Sequence, residues 1–260
     1  MTDACPESLL GFADRLAEAS GAILRRYFRS GVAVIDKADL SPVTIADREA
    51  EQALRRLIAE QHPEHGVIGE EFGADRPDAE HVWVLDPIDG TKSFITGRPL
   101  FGTLIALCHG GRPILGVVDH PALSERWIGA AGHPTRHNGA VVRARPCPSL
   151  DRAALFASSP HMFEDGHGDA GFARVRQRVK LVQYGSDCYH YGLVASGHGD
   201  LAIEAKMAIY DYLAAVPVIE GAGGRVTDWQ GRRLTLASGD RVLAAGDPSL
   251  HALALALLAD

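Results

Sequence analysis

The segment Asp86–Thr91 reads D-P-I-D-G-T and sets two carboxylates three residues apart across a tight loop. Pro87 donates no N–H, and Gly90 admits dihedrals closed to other residues. Such a loop can aim Asp86, Asp89 and the carbonyl of Ile88 at one point. Oxygen ligands of this kind suit Mg²⁺, Mn²⁺ or Ca²⁺. A helix beginning near Thr91 would turn its free N–H groups towards an anion, which favours phosphate. The plainer reading is a strand and turn with solvated aspartates, and spacing alone does not separate the two. A nucleophilic aspartate in a D-x-D-G-T motif fits less well, because two residues, not one, separate Asp86 from Asp89.

Further carboxylates strengthen the metal reading. Glu70 and Glu71 follow Val67–Ile68, a short expected strand. Asp47 lies at the start of an expected helix, and Asp211 at the start of another. Each has an ordinary role when taken alone: a surface acidic pair for the glutamates, helix capping for the aspartates. Their combination with the central loop shifts the balance.

The elements that must position these residues follow from periodicity. Leu9, Phe12, Leu16, Ile23, Tyr27 and Phe28 give a first helix one apolar face. A second helix is predicted over Ile45–Glu60, with Thr44 and Asp47 as a capping box and Pro42 enforcing an extended approach. His81–Leu85 is a strand that ends on the D-P-I-D-G-T loop. Thr103–Cys108, Ile114–Asp119 and Glu125–Gly129 form a meander, extended by Val141–Arg143. Arg145–Ser149, R-P-C-P-S, reads as a hinge. Beyond it come strand Ala153–Ala157, helix Gly171–Arg178, strand Val179–Tyr184, helix Tyr189–Ser196, strand Leu201–Glu204, helix Asp211–Gly221, strand Arg241–Ala245 and a docked tail helix over Leu250–Leu258. The fold expected is layered α+β. An N-terminal metal-binding half (residues 1–145) joins an alternating C-terminal half (146–260) in one catalytic unit.

Composition narrows the class. Of the 260 residues, 46% are hydrophobic and 23% charged, as in a globular protein, and the formal net charge of -7 does not favour a nucleic-acid partner. Four cysteines, Cys5, Cys108, Cys147 and Cys188, form no C-x-x-C pair, so a zinc site is not expected and a reduced cytoplasmic chain is. No secretory signal and no membrane span are read.

Three ordered segments carry a resemblance: I-G-E-E-F, W-V-L-D-P-I-D-G-T-K-S-F and Y-D-Y-L-A-A-V-P-V-I-E-G-A-G-G. Together they resemble the inositol monophosphatase family, over nearly the whole chain. The resemblance implies an αβαβα sandwich, a homodimer, and lithium-sensitive hydrolysis of small phosphate monoesters with two or three Mg²⁺ ions, for which Mn²⁺ can substitute. It also implies roles. Glu70, Asp86, Asp89 and Asp211 would bind metal through carboxylates, and Ile88 through its carbonyl. Gly90 and Thr91 would hold phosphate, Asp47 and Thr91 would orient the attacking water, and Glu71 would assist. Tyr210 departs from the tryptophan common in that place.

Within the family the chain looks most like the histidinol-phosphatase branch, through F-G-T-L-I-A-L, G-V-V-D-H-P-A-L-S-E-R-W and Y-G-S-D-C-Y-H-Y-G-L. That branch hydrolyses L-histidinol phosphate in histidine synthesis. The substrate carries an ammonium, and Asp187, together with Glu204, is expected to pair with it; helix capping is the ordinary role for Asp187. His120, His190 and His198 are read as partly buried or solvated, and Arg98 as solvated or phosphate-facing. The alternatives are an inositol-1-phosphatase, a phosphatase of 3′-phosphoadenosine 5′-phosphate or fructose 1,6-bisphosphate, and a non-catalytic interaction partner in transcription or ribosome assembly.

Overall fold

A computed structural model describes residues 4–31, 33–36, 42–164 and 169–259. The chain opens with α1 (Glu7–Tyr27), the paired strands β1 (Val34–Asp36) and β2 (Pro42–Thr44), and α2 (Ile45–Gln61). Strands β3 (Gly66–Gly69), β4 (Gly73–Asp75) and β5 (His81–Asp89) follow, then the short α3 (Thr91–Ile95). The meander is β6 (Gly102–His109), β7 (Arg112–His120), β8 (Glu125–Ala130), β9 (His133–His137) and β10 (Ala140–Val141). The second half runs β11 (Ala154–Ala157), α4 (Asp169–Arg176), β12 (Leu181–Tyr184), α5 (Tyr189–Ala195) and β13 (Leu201–Glu204). It closes with α6 (Ile209–Tyr212), α7 (Ala215–Gly221), β14 (Arg225–Thr227), β15 (Val242–Ala245) and α8 (Pro248–Leu258).

The strands form an eight-stranded sheet, ordered β10-β9-β8-β7-β6-β5-β3-β4, and a five-stranded sheet, ordered β12-β11-β13-β15-β14. Three apolar clusters define the layers. Leu9, Phe12 and Leu16 of α1 and Leu54 and Ile58 of α2 pack on Trp83, Leu85, Ile105 and Val117, the outer face of the large sheet. Its inner face (Val84, Leu104, Val118, Trp127) meets Tyr191, Val194, Leu213 and Val218 of the middle helical layer, which also covers Ala202 and Ala244 of the small sheet. Phe172 and Val175 of α4 and Leu250 and Ala254 of α8 close the far side on Leu155, Leu201 and Leu243. The order is therefore αβαβα, as expected.

Several elements differ from the sequence reading. The strand expected to stop at Leu85 continues to Asp89, with a bulge between Asp86 and Asp89 before pairing resumes at Asp89 opposite Gly102. Pro87 cannot join the ladder, and its carbonyl accepts instead from the Thr103 hydroxyl at 2.9 Å. The single helix expected over Asp211–Gly221 is two helices, α6 and α7, separated at Leu213–Ala214. Glycines let this segment lie directly on the large sheet: a Cβ on Gly116 would come within 1.9 Å of the Ala214 carbonyl, and one on Gly129 within 2.3 Å of that of Pro217. Strands β9 and β14 went unpredicted because they are short and polar or glycine-flanked. All four cysteines are free and buried. Among the described residues no helix is long and apolar enough to cross a membrane.

The docked tail carries a pH-sensitive contact. His251 of α8 is 1% exposed. Its Nε2 lies 2.9 Å from the Thr227 hydroxyl, whose own proton goes to the Asp228 carbonyl. The imidazole is thus the donor. Burial, then Arg225, brings its pKa down to about 4. An imidazole whose folded pKa is depressed contributes stability at neutral pH that is lost as pH falls from about 6.5 towards 4. The stability advantage of the native protein over His251→Gln should therefore shrink across that window, by at most about 1.4 kcal/mol per pH unit. Urea denaturation of both proteins at several pH values measures it; a gap constant from pH 7 to 4.5 would refute the assignment.

Candidate metal centre and substrate site

The bulge in β5 makes the centre. Carboxylate oxygens of Asp86, Asp89 and Asp211 all lie within 4.8 Å of one another. Asp86 is 2% exposed, and its Oδ1 accepts from the Ile88 amide at 3.0 Å, which folds the loop back on itself. Asp89 Oδ2 accepts from the Cys188 amide at 2.7 Å. Asp211 stands at the third position of α6, where Oδ2 takes the Ala208 amide at 2.7 Å. Its capping role and its place in the cluster coexist, since only one oxygen is used for capping. Glu70 joins from the turn after β3 and lies against Asp86.

These groups repel one another. Asp86 is held far above the usual carboxylate range by burial first, then by Glu70, Asp89 and Asp211. Asp89 is raised in the same direction by burial, Asp187 and Asp211. Buried like charges at this spacing demand protons or a cation. The donor set is all hard oxygen, as a divalent metal of the Mg²⁺ type requires. The Thr91 hydroxyl donates to the Ile88 carbonyl at 3.2 Å.

Asp47 adds a buried orphan. Its Oδ2 accepts from the Thr44 amide at 2.8 Å and the Thr44 hydroxyl at 2.7 Å, completing the capping box of α2. Its Oδ1 is buried and unpartnered, and burial followed by Glu70 raises its pKa. A free acceptor in that position fits a ligand or water contact. Glu71 is placed through its backbone: its amide donates to Glu51 Oε2 at 2.7 Å.

Glu51 is the residue that sequence reasoning missed. It is fully buried and also takes the Phe72 amide at 3.2 Å and Arg55 Nε at 2.7 Å. It holds the Glu70–Glu71 turn in place. The signal was present: Glu51 stands four residues after Asp47 on the apolar face of α2, beside Ala50 and Leu54.

The substrate side is built by the turn 185–188. Asp187 does not cap α5; Cys188 occupies the N-cap. Asp187 has φ 46°, a left-handed conformation that costs an L-residue about 1 kcal/mol. Its carboxylate lies on the metal loop: a Cβ on Gly90, itself at φ 81°, would be 2.7 Å from Asp187 Oδ2. Arg98, read from sequence as solvated or phosphate-facing, is exposed and donates to the Gly185 carbonyl at 2.6 Å.

Glu204, expected from sequence to pair with the ammonium together with Asp187, lies in the core. It is fully buried, and Oε1 accepts from the amide and hydroxyl of Ser158 at 2.8 and 3.1 Å. His190 Nε2 lies 3.3 Å from the same oxygen, without hydrogen-bond alignment, and Oε2 has no partner. Burial holds Glu204 well above the usual carboxylate range and brings His190 down to about 3. His120 is likewise buried and neutral, its Nδ1 bonded to the Phe101 carbonyl at 2.9 Å.

A second ligand-like group, His62, Glu64 and His65, has the wrong tautomer for metal. Trp83 Nε1 donates to His65 Nδ1 at 3.1 Å, so the ring proton sits on Nε2, the nitrogen facing Glu64 at 3.2 Å. A groove of about 590 Å³ between α1 and strands β8 and β9, lined by Asp14, Arg126 and Arg136, contains none of the clustered carboxylates.

Comparison with known proteins agrees with this geometry. Residues 6–260 match the profile described as "Inositol monophosphatase family". The chain is 51% identical over 249 residues to "Bifunctional phosphatase IMPL2, chloroplastic" of Arabidopsis thaliana, covering 92% of this chain and 72% of that protein. It is 35% identical over 239 residues to a "Histidinol-phosphatase" of Chlorobaculum parvum, with 92% of each covered. A solved inositol monophosphatase from Zymomonas mobilis matches with TM-score 0.89 and 46% identity, over 97% of this chain and 98% of that one.

Two outcomes follow from the packing of charge. Asp89→Asn keeps the acceptor for Cys188 and removes one charge. In chelator it should melt no lower than the native protein, and it should lose most of the rise in Tm that Mg²⁺ gives the native protein. An undiminished Mg²⁺-induced rise would remove Asp89 from the ligand set. Glu51→Ala should cost about 3 kcal/mol in urea denaturation, by stranding Arg55 and two amides. A loss below about 1 kcal/mol would show that the turn holds itself.

Proposed function

Given that the chain belongs to the inositol monophosphatase family, we propose that it is a Mg²⁺-dependent phosphomonoesterase acting on a small amine-bearing phosphate ester, with L-histidinol phosphate as its substrate. One observation carries the choice of ester. The Asp187 carboxylate is seated on Gly90 of the metal loop, where it can meet an ammonium a few atoms from the phosphate. The histidinol-phosphatase name of the Chlorobaculum parvum relative supports it.

Asp86, Asp89, Asp211, Glu70 and the Ile88 carbonyl hold the metals. When bound, Mg²⁺ supplies positive charge that offsets these carboxylates and the phosphate oxygens. Gly90 and Thr91, at the start of α3, offer backbone N–H groups with no helical partner, which suit phosphate oxygens. The Thr91 hydroxyl spends its proton on Ile88 and keeps its lone pairs for a water hydrogen. The free Oδ1 of Asp47 accepts a second hydrogen of that water. Water so oriented attacks phosphorus in line and gives one proton to Asp47 Oδ1; the bond from phosphorus to the ester oxygen breaks, and the leaving alkoxide takes a proton from solvent water as Asp47 returns its own to solvent. Asp187 meanwhile binds the ammonium, a charge-assisted contact that inositol-type esters, which carry hydroxyls only, do not make.

Phosphate release should be several-fold faster from L-histidinol phosphate than from inositol 1-phosphate, and absent for both in chelator. Asp187→Ala should raise KM for L-histidinol phosphate by about tenfold, as expected for losing one charge-assisted contact, and leave inositol 1-phosphate nearly unchanged. Equal KM shifts for the two esters would sink the amine reading while leaving the phosphatase reading intact.

A further inference from the structure

The turn that carries Asp187 is fixed at both ends by backbone contacts. Arg98 donates to the Gly185 carbonyl at 2.6 Å, and the Cys188 amide donates to Asp89 Oδ2 at 2.7 Å. Neither contact sets the direction of the Asp187 side chain. That task falls to Ser93 on α3, whose hydroxyl donates to Asp187 Oδ2. Ser93 is 3% exposed, so water does not compete for its proton. It stands three residues after Gly90, on the helix that follows the metal loop.

The chemistry of the pair is selective. A hydroxyl can bind one oxygen of a carboxylate and leave its charge intact. A lysine or arginine in the same place would neutralise Asp187 and take the position of an incoming cation. Asp187 Oδ1 makes no hydrogen bond among the described residues. The carboxylate is therefore held by one oxygen and available through the other. Gly90 completes the arrangement by offering no Cβ where Asp187 Oδ2 lies.

We infer that Ser93 is the positioning residue for amine selectivity, fixing one oxygen of Asp187 so that the other receives the ammonium of the phosphate ester. This rests on the reading of Asp187 given above. It makes the choice of substrate depend on a hydrogen bond between the metal-loop helix and the turn of the second half.

The test compares Ser93→Ala, Ser93→Thr and Asp187→Ala on two esters, L-histidinol phosphate and the amine-free glycerol 2-phosphate, with kcat and KM measured for each. Loss of one buried hydrogen bond predicts that Ser93→Ala raises KM for L-histidinol phosphate about fivefold. KM for glycerol 2-phosphate should stay within about twofold, and kcat for both esters likewise. Ser93→Thr keeps the hydroxyl and should restore the preference. Ser93→Cys, nearly isosteric and a weak donor, carries the same readout as alanine if that variant folds poorly. Equal shifts on both esters, or none on either, overturn the role of Ser93. If Asp187→Ala separates the esters and Ser93→Ala does not, the Ser93 assignment fails and the Asp187 reading survives. If Asp187→Ala does not separate them, both fall.

Discussion

Carboxylates sharing a buried pocket repel one another, and in this protein they are gathered from parts of the chain far apart in sequence. Asp86 and Asp89 come from the bulge in β5, Glu70 from the turn after β3, and Asp211 from α6. Burial and the neighbouring carboxylates both push the protonation of Asp86 and Asp89 upward. The surrounding scaffold has to hold these groups together against that force. Much of the packing can be understood in this way. Glu51 pins the Glu70–Glu71 turn through two backbone amides. The Ile88 and Cys188 amides each occupy one oxygen of the aspartates in the bulge. Gly116 and Gly129 let the segment carrying Asp211 press against the sheet.

The same constraint joins the two sheets. The large sheet contributes the metal loop, whereas Asp211, Asp187 and the Cys188 amide arrive from the second half of the chain. The middle layer of helices is packed against both sheets. A change in how the sheets sit would move Asp211 and Asp187 together relative to Asp86 and Asp89. Two buried pairs beside the site, His190 with Glu204 and His120 with Cys188, act differently from the charged cluster. They fill space, and burial disfavours the charged form of each group, so little charge is added to a region already crowded with it.

The pattern of success and failure in the sequence reading follows from how local each signal is. The long helices α1 and α2, the capping box at Thr44 and Asp47, and the meander strands are set by short-range periodicity, and the structure reproduces them. The bulge at Asp86–Asp89 was read as a loop because a proline there looks like an end of pairing. Pairing resumes at Asp89, opposite Gly102 on β6. The break between α6 and α7 is likewise invisible locally, since the apolar run Leu213–Ile219 would suit one helix.

The sequence by itself determined the family, because its three ordered motifs depend on residue type and on spacing within single segments, and the αβαβα order followed from that resemblance. Only the tertiary structure decided what surrounds each donor. It closed Glu204 into the core against Ser158, showed Glu51 to be the support of the Glu70 turn, and turned Arg98 to the Gly185 carbonyl. It also set Asp187 on Gly90 under the Ser93 hydroxyl, across 94 residues of chain. Burial and hydrogen-bond partners at such separations arise from the packing of whole layers. No periodicity in the chain encodes them, because the contacting residues share no local segment.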